Sequence, residues 1–409
     1  MLEKALDTGI NMSTAMMSFN VMETLIDDPM YGAKAGDYFL LPDPDTFKIV
    51  PYLEKTARMF CDLVDYNGKP WQGCTRTALK KAVEKAENMN IKFIVSFEVE
   101  GMLVRKMEGE YQPADFSKCF TPDGLEIQEN IIREVVSSLE FMDIPVDKVT
   151  AEYAPGQYEV NIQPSNPVKS ADDFITYKET WRAIARKNGL IATFMPKPFE
   201  EYAGNGVHFH ISAFDDNDNN LFEDKNDKRK LGLSDLCYQF IGGILDHSPA
   251  LAAITAPTVN SYKRILPGSW SPAFICYGIG NRDVLVRIPD GPRTKRIEFR
   301  VADGTCNPYL ALASVIISGL DGIKRKKDPG EPINKEIGHL KPKEIKKTGL
   351  KWLPRSLEEA IKELKNDDYI INELGSILME EFIRVRESEL EAFRKVVTEW
   401  ERKIYIETY

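Results

Sequence analysis

Long apolar runs are missing from this sequence: none reaches the ~18 consecutive apolar residues that indicate a membrane-spanning helix. The first residues, MLEKALDTGINM, also lack the basic and then apolar order of a secretory signal. An excess of positive charge is absent too, because 63 acidic residues against 53 basic ones leave a net charge of -10. These absences exclude a membrane partner, argue against a nucleic-acid partner and predict a cytoplasmic protein.

Closely spaced cysteines are also absent. The six cysteines are scattered without a C-x-x-C motif, which indicates neither a disulfide framework nor a zinc knuckle. We therefore predict reduced, structural thiols at Cys61, Cys74, Cys119, Cys237, Cys276 and Cys306.

The chain does contain enough apolar residues, 43% of 409, to bury a large core in roughly two or three domains. Residues 1–73 are short apolar runs broken by turn signals such as Pro42-Asp43-Pro44, which predicts a small sheet-containing domain. A helical pattern begins at Thr75, with Thr75 or Thr77 available as its cap, and we place a domain boundary just before it. The predicted domains are 1–73 and 74–409.

Two glutamates interrupt the apolar strand predicted from Lys92 to Val104, KFIVSFEVEGMLV. Glu98 and Glu100 are two residues apart, so an extended strand sends both carboxylates to the same face. Neighbouring carboxylates in a poorly hydrated run repel each other, and the arrangement is costly without a cation. The pair therefore indicates a metal site; the alternative is a simply solvated face.

A Pro-Gly turn separates two strand-like halves in AEYAPGQYEVN. The turn would fold Glu152 and Glu159 back toward one another, which gives another pair of carboxylates. Helices are predicted at Leu125 to Met142, Ala171 to Asn188 and Leu233 to Leu251. His247, near the end of the third helix, is interpreted as structural.

Two of the four histidines, His208 and His210, follow the Gly204-Asn205-Gly206 turn at HxH spacing. On a strand both imidazoles point to one face, beside a turn that lets backbone approach a ligand closely. Taken alone, this spacing is typical of half-buried strand histidines, and metal or phosphate contact is the other interpretation. Arginines interleaved with Gly/Pro turns follow, and they suit a site that grips phosphate or carboxylate. They are Arg282, Arg287, Arg293, Arg296 and Arg300.

Several segments resemble the successive motifs of the glutamine synthetase family: AEYAPGQYEVN, ATFMPKPF, GNGVHFHIS, APTVNSYKRILPG, GNRDVLVRIP, RIEFRVAD and NPYLALASVIISGLDGI. The similarity extends from about residue 40 to the end. It implies an α+β protein whose catalytic domain, 74–409, has a curved, mainly antiparallel sheet flanked by helices. It also implies that 1–73 is an incomplete β-grasp-like domain, because family members usually have a further segment ahead of it.

The resemblance implies ATP and two or more Mg²⁺ or Mn²⁺ ions, which suit oxygen-rich ligands. The implied ligands of one metal are Glu100, Glu152 and Glu159, and those of the other are Glu98, His208 and Glu298. The implied nucleotide contacts are His210, Ser212, Arg282, Arg287 and Arg296. The implied substrate contacts are Gly204, Arg264, Arg300 and Trp270. The candidate catalytic residues are Arg282, Arg300 and Trp270.

Two positions depart from the family where the amine binds. The family's ammonium-binding aspartate lies in an FDGSS-like loop, and the best match here, INMST, has Asn11 at the acidic position. The family's flap glutamate follows KRLVPGY, and Trp270 stands there in this chain. The two carboxylates that attract ammonium and accept its proton are thus missing. An aromatic surface favours an organic amine, which gains roughly 0.8 kcal/mol per buried methylene.

We therefore expect a ligase that joins the γ-carboxylate of glutamate to an organic amine through a γ-glutamyl phosphate, giving a γ-glutamylamide, ADP and phosphate. The alternatives are ordinary glutamine synthetase, with another acid replacing the missing ones, and a non-catalytic relative. The sequence does not name the amine. Ala203 stands where the family often has a glutamate-contacting Asn or Gly, so a related acid is also open. The resemblance implies a homo-oligomer, with hexameric rings stacked as a dodecamer.

Overall fold

The computed structural model of this chain describes residues 2–32, 34–291 and 294–409, so Arg293, one of the five arginines singled out in the sequence, lies outside the described residues. The strands form sheets of ten, three and two strands. They are β1 (Ile10–Ser13), β2 (Asp37–Pro42), β3 (Lys48–Ile49), β4 (Ala57–Arg58), β5 (Cys61–Val64), β6 (Lys92–Met107), β7 (Glu110–Pro113), β8 (Val146–Ala151), β9 (Gln157–Ile162), β10 (Ile191–Thr193), β11 (Val207–Phe214), β12 (Phe274–Ile279), β13 (Val284–Ile288), β14 (Ile297–Phe299) and β15 (Lys351–Trp352).

One helix precedes the first strand, and the others lie between and after the strands. They are α1 (Leu2–Thr8), α2 (Thr75–Glu87), α3 (Pro122–Ile127), α4 (Glu129–Phe141), α5 (Pro167–Lys187), α6 (Asp235–Thr255), α7 (Pro308–Arg325), α8 (Pro342–Thr348), α9 (Leu357–Lys365), α10 (Asp368–Leu374), α11 (Ser376–Arg394) and α12 (Glu399–Tyr405). Among the described residues, no helix has both the length and the apolar character needed to cross a bilayer.

The ten-stranded sheet has the strand order β15-β12-β13-β14-β11-β6-β9-β8, and β7 and β10 also pair with β6. The sheet is mixed, because β13 runs parallel to β12 and begins beside Phe274, the first residue of β12. This pair is an exception within the mainly antiparallel sheet that the resemblance implies, since the chain travels back along β12 before β13 starts. The other described pairs in this sheet are antiparallel.

The long central strand β6 has two faces of opposite character. Val95, Phe97 and Val99 are fully buried, and Phe97 stacks on Phe174 of α5 with ring centroids 5.1 Å apart. Because side chains alternate along a strand, the residues between them point away from α5. The apolar face thus anchors the strand on the helices, and the carboxylates occupy the opposite face.

The N-terminal region contains the antiparallel sheet β1-β2-β5 and the ribbon β3-β4. Arg76, in the first turn of α2, joins this region to the rest of the chain. Its guanidinium lies 2.9 Å from Asp43, 3.0 Å from Asp62 and 2.9 Å from Asp172 of α5. One buried arginine therefore holds carboxylates from three separate segments, and the domain division at residues 73 and 74 stays a prediction.

Two local predictions are wrong in detail. The helix α2 begins at Thr75 as predicted, but its cap is Cys74, whose Sγ accepts from the Thr77 N–H at 3.4 Å. Cys74 is the last residue with extended backbone, so its side chain reaches the free N–H and neither threonine does. The single helix predicted from Leu125 to Met142 is divided at Gln128, whose backbone (φ -108°, ψ 20°) leaves the helical range.

His247 lies inside α6 and hydrogen-bonds to Asp321 of α7 at 3.0 Å and to Asp367 at 2.6 Å. Its ring also stacks on Tyr369, with centroids 5.3 Å apart. Burial acts to lower the pKa of His247, but the two aspartates outweigh it and raise the pKa. These contacts join α6, α7 and α10, which agrees with the structural role predicted for this histidine.

Candidate active site

The six acidic and imidazole residues singled out in the sequence converge at the centre of the large sheet. Glu98 and Glu100 lie on β6, Glu159 on β9, His208 on β11, Glu298 on β14, and Glu152 directly follows β8. The cross-strand register places His208 opposite Glu98 and Glu159 opposite Glu100. Residues that are far apart in sequence therefore become neighbours on one face of four strands.

Glu98, His208 and Glu298 form a compact donor group whose ligand atoms all lie within 4.8 Å of one another. The Nδ1 atom of His208 is 2.8 Å from Glu98 Oε1 and 3.6 Å from Glu298 Oε1. His210 Nε2 is 3.3 Å from the other oxygen of Glu98. Two carboxylates and an imidazole at this spacing could hold a divalent cation.

Positive charge surrounds the buried end of this group. Glu298 is fully buried; Arg287 Nη1 donates to its Oε2 at 2.6 Å, and Arg300 Nη1 donates to its Oε1. Burial acts to raise the pKa of Glu298, but the charge of Arg300 and then the histidines lower it to about 2. Burial also acts to raise the pKa of Glu98. The hydrogen bonds from His208 and His210 outweigh the effect of burial, so the pKa of Glu98 falls well below its usual value.

The other carboxylates have the opposite electrostatics. Burial, followed by the charges of Glu100 and Glu98, raises the pKa of Glu152 to about 7. Burial and the charge of Glu98 raise the pKa of Glu159 to about 8, although Lys148 Nζ lies 3.1 Å from its Oε1. This half of the group therefore has too little positive charge for its acids, which is the condition that a bound cation relieves.

The turn before β11 closes over the group. A Cβ on Gly204 would lie 2.3 Å from the Pro196 carbonyl oxygen and 2.9 Å from Arg264 Cγ. A Cβ on Gly206 would lie 2.9 Å from His208 Nε2 and 3.0 Å from Arg264 Nη1. Position 204 therefore needs glycine, because the Pro196 carbonyl and buried Arg264 leave no space for a Cβ, and a side chain at position 206 would displace His208 or Arg264. Arg264 Nη2 donates to the Ala302 carbonyl at 2.9 Å, and burial lowers the pKa of its guanidinium.

Sequence reasoning missed the polar residues that position these groups. Gln157 Nε2 donates to the Gly204 carbonyl and to Asn205 Oδ1, each at 2.9 Å, and Asn205 is fully buried. Asn161 Nδ2 donates to Glu159 Oε1 at 3.0 Å. Gln157 and Asn205 lie inside the quoted motifs, and Asn161 is two residues from Glu159 on β9. Polar residues within apolar strands and turns were the available signal.

The residues predicted to contact nucleotide lie beside the same group, with one exception. Ser212 is buried on β11, two residues after His210, and Arg296 Nε donates to His210 Nδ1 at 3.2 Å. Arg282 is exposed, and only its backbone joins the group, through its carbonyl, which accepts from Arg300 Nε at 3.2 Å. The structure thus brings the imidazoles and arginines together but leaves the Arg282 side chain in solvent.

Trp270 lies at the rim of this site. Its backbone is left-handed (φ 59°), a rare conformation for a bulky residue, and its carbonyl accepts from Arg300 Nη2 at 3.2 Å. The residue is 59% exposed, and the centroid of its ring lies 6.4 Å from that of Tyr153, a residue that is 61% exposed. Tyr153 directly follows Glu152 and escaped the sequence analysis, because a single exposed tyrosine carries no signal.

Asn11 lies elsewhere, on the small N-terminal sheet. Its Nδ2 atom donates to Asp37 Oδ2 at 3.2 Å, and both residues are exposed. Among the hydrogen bonds and ion pairs of the described residues, none joins Asn11 to the central group of carboxylates, Glu98, Glu100, Glu152, Glu159 and Glu298.

Buried acids and imidazoles bordered by arginines are suited to a metal-dependent enzyme that handles phosphate. Comparison with known families agrees: the model of the glutamine synthetase catalytic domain matches residues 72–405. The chain belongs to the glutamine synthetase family and is an ATP-dependent ligase of glutamate. The family belongs to nitrogen metabolism, depends on ATP and uses divalent metal ions.

Curated relatives carry two different names. The glutamate–methylamine ligase of Methyloversatilis universalis is 39% identical over 385 residues, which cover 91% of this chain and 86% of the relative. The glutamine synthetase of Thermotoga maritima is 39% identical over 378 residues, covering 91% and 85%. That of Methanococcus voltae is 36% identical over 376 residues, covering 91% and 84%. Overall sequence identity therefore does not indicate which of the two kinds of enzyme this chain resembles more.

Solved structures give the same family. A structure described as a GmaS/ADP complex superimposes with a TM-score of 0.88 at 30% identity, covering 99% of this chain and 91% of that one. A structure described as a novel glutamine synthase homolog has a TM-score of 0.84 at 29% identity, covering 100% and 93%.

Proposed function

We propose that this protein joins the γ-carboxylate of glutamate to a small organic amine, with ATP supplying the phosphate that activates the acid. The observation that carries the proposal is the indole of Trp270, which stands where the family has its flap glutamate and lies beside Tyr153. The similarity to a glutamate–methylamine ligase supports it. We propose a primary alkylamine such as methylamine as the second substrate.

The acid must be activated first. A carboxylate is not attacked by an amine at neutral pH, so the γ-carboxylate takes the γ-phosphate of ATP to form γ-glutamyl phosphate, and the amine then displaces phosphate. Arg264, with the Gly204 turn packed on it, and Arg300 hold glutamate. The nucleotide and the transferring phosphate are held by His210, Ser212, Arg282, Arg287 and Arg296.

The acids fit two divalent ions. Glu98, His208 and Glu298 would hold one, since their donor atoms already lie within 4.8 Å of one another. Glu100, Glu152 and Glu159 would hold the other, since the raised pKa values of Glu152 and Glu159 indicate acids without enough positive charge. When bound, Mg²⁺ or Mn²⁺ neutralises charge on the phosphate that is transferred.

We also propose that the protein assembles as a homo-oligomer. A division of the chain into the domains 1–73 and 74–409 is part of the proposal as well. Exposed apolar side chains occur on both terminal segments, and a homo-oligomer such as stacked hexameric rings would cover them. They include Ile10, Met16, Val21, Phe393, Trp400 and Ile406.

Ordinary glutamine synthetase is the second candidate. Asp37 lies beside Asn11 and supplies a carboxylate near the position where the family's aspartate is missing. Relatives named glutamine synthetase are as similar overall as the methylamine ligase. These observations favour ammonia as the substrate if Asp37 takes over the role.

An amine panel tests the proposal. Phosphate release is measured with ATP, Mg²⁺ and glutamate, and with ammonia, methylamine, ethylamine or aniline as the nucleophile. We expect kcat/KM to be highest for a small alkylamine. Preference for ammonia would establish the second candidate instead, and no turnover with any amine would leave a non-catalytic relative.

Restoring the flap acid should shift the amine preference. In Trp270→Glu, the ratio of kcat/KM for ammonia to that for methylamine should rise by about tenfold or more, because the new carboxylate attracts ammonium and accepts its proton. Leu266→Glu is the control, since it adds the same charge at an exposed position of the same segment. Equal ratios in Trp270→Glu and the wild type would refute the role given to this position.

The metal-free protein should lose stability as pH rises from about 4.5 to about 8. The folded pKa values of Glu152 and Glu159, about 7 and about 8, lie above that of an ordinary glutamate, so the folded state binds more protons in this window. Glu98 and Glu298 have lowered pKa values, and their contribution is already complete above about 4.5. Thermal unfolding with EDTA and with Mg²⁺ measures this, and Mg²⁺ should stabilise most near pH 8. A metal-free stability that rises toward pH 8 contradicts the assignment.

A further inference from the structure

We propose that Tyr153 and Trp270 together bind the amine as a small alkylammonium ion, held by cation–π interactions before it is deprotonated. This rests on the proposed function and adds a second specificity-determining residue, Tyr153, to it. The two rings come from separate segments, the turn between β8 and β9 and the segment that follows Arg264. They meet at the rim of the carboxylate group with centroids 6.4 Å apart and planes tilted by 35°.

The geometry suits a cation of limited size. A cation interacts with an aromatic face when it lies within about 6 Å of the ring centroid, and rings at this separation leave space within that distance of both. The two ring planes are tilted by 35°, and both residues are more than half exposed to solvent. A small alkylammonium ion at this rim is therefore within reach of both rings.

The backbones beneath both rings are anchored although the rings are exposed. The Glu152 N–H donates to the Gln157 carbonyl at 2.8 Å, and the Ala154 N–H donates to Gln157 Oε1 at 3.0 Å, so both neighbours of Tyr153 are held by one residue. The same Gln157 side chain binds the carbonyl of Gly204, in the turn that faces Arg264. The position of Tyr153 is therefore tied to the proposed glutamate site.

Trp270 is anchored in a comparable way. Arg300 donates to its carbonyl at 3.2 Å and, through its other terminal nitrogen, to buried Glu298. Gly268 packs on Gly338, where a Cβ would lie 2.7 Å from the Gly268 nitrogen. A left-handed backbone is energetically costly for a bulky residue such as Trp270 and is found most often at functional sites. The backbone conformation therefore supports a functional role for this residue.

Charge favours an ammonium ion over a neutral amine at this rim. Glu152 directly precedes Tyr153 and is one of five carboxylates in the central group, which when ionised carry one more charge than two divalent ions would neutralise. The protein also has a net charge of -10. A cation is thus attracted toward the site, and the two rings supply contact for its methyl groups, which ammonium itself lacks.

The test uses the complete enzyme with ATP, Mg²⁺ and glutamate, and a probe that cannot react. Tetramethylammonium carries the charge and methyl surface but has no nucleophilic electron pair, so it should inhibit competitively with methylamine. Its neutral isostere, tert-butanol, should not inhibit. In Tyr153→Leu, the KM for methylamine and the inhibition constant for tetramethylammonium should each rise about tenfold, whereas in Tyr153→Phe, which keeps the ring, both should stay within about twofold. Tyr66→Leu, at a tyrosine that is 83% exposed, is the matched control.

The outcomes separate this inference from the function on which it rests. If the wild type prefers methylamine but Tyr153→Leu leaves both constants unchanged, the role of Tyr153 is refuted and the proposed function stands. Equal losses in the Phe and Leu variants also refute it, because the ring would not be the binding group. If the wild type prefers ammonia, the proposed function fails and the inference fails with it.

Discussion

Replacing Glu159 by glutamine should lower turnover by at least about a hundredfold. Loss of a residue that only orients a metal ligand costs about ten- to a hundredfold, so loss of a ligand itself should exceed the upper figure. The neutral amide keeps the shape of the side chain but cannot offset the charge of a divalent ion. Phosphate release with saturating substrates measures the effect, and near-normal activity would contradict the metal assignment.

We expect Glu159→Gln to fold, so the loss of turnover can be attributed to the reaction and not to unfolding. Burial raises the pKa of Glu159 to about 8, and the wild-type side chain is therefore costly when ionised in the metal-free protein. Without metal at pH 8, the Gln variant should unfold at the same temperature as the wild type or higher. With Mg²⁺ it should gain less stability than the wild type. Glu126→Gln, at an exposed position of α3, is the control for a change from glutamate to glutamine. It should match the wild type in turnover and in unfolding temperature.

Replacing Arg76 by methionine should destabilise the protein by about 3–5 kcal/mol, because it leaves carboxylates without their common cation. The Asp172 side chain is only 7% exposed and has little access to water as an alternative partner. The change also removes the contacts to Asp43 and Asp62, which hold the N-terminal sheet against α2 and α5. Urea unfolding of the metal-free protein, checked for reversibility, gives the free energy.

Arg133→Met is the matched control for the arginine. Its side chain is 74% exposed and pairs with Glu129 one turn away, so its loss should change stability by no more than about 0.5 kcal/mol. If Arg76→Met costs as little as this control, the buried network contributes no more than a surface ion pair, and another contact must hold the N-terminal sheet.

Local spacing was sufficient to predict which side chains share a face. Glu98 and Glu100, like His208 and His210, are two residues apart, and an extended strand places such residues on one side whatever surrounds it. The Pro155-Gly156 turn likewise predicted a hairpin, and β8 and β9 are antiparallel. Local patterns did not predict the change of backbone dihedral angles at Gln128 or the hydrogen bond from the Thr77 N–H to Cys74 that caps α2.

The pKa shifts of the carboxylates could be determined only from the tertiary structure. Glu98 and Glu159 are both strand glutamates in apolar surroundings, and nothing in their local sequence distinguishes them. Burial acts to raise the pKa of both, but hydrogen bonds from His208 and His210 lower the pKa of Glu98, whereas the charge of Glu98 raises the pKa of Glu159 further. The neighbours of each glutamate are set by the pairing register of the strands, and the local sequence does not show them.

The sequence by itself determined the family, the six candidate metal ligands and the two departures at Asn11 and Trp270, because each is an identity at a position within a motif. Only the tertiary structure decided which of these residues meet. It placed Trp270 against Tyr153 and tied it through Arg300 to Glu298, and it left Asn11 on a separate sheet beside Asp37. The reason is physical: a residue's chemistry is local, but its partners are chosen by long-range strand pairing and packing, which no short stretch of sequence specifies.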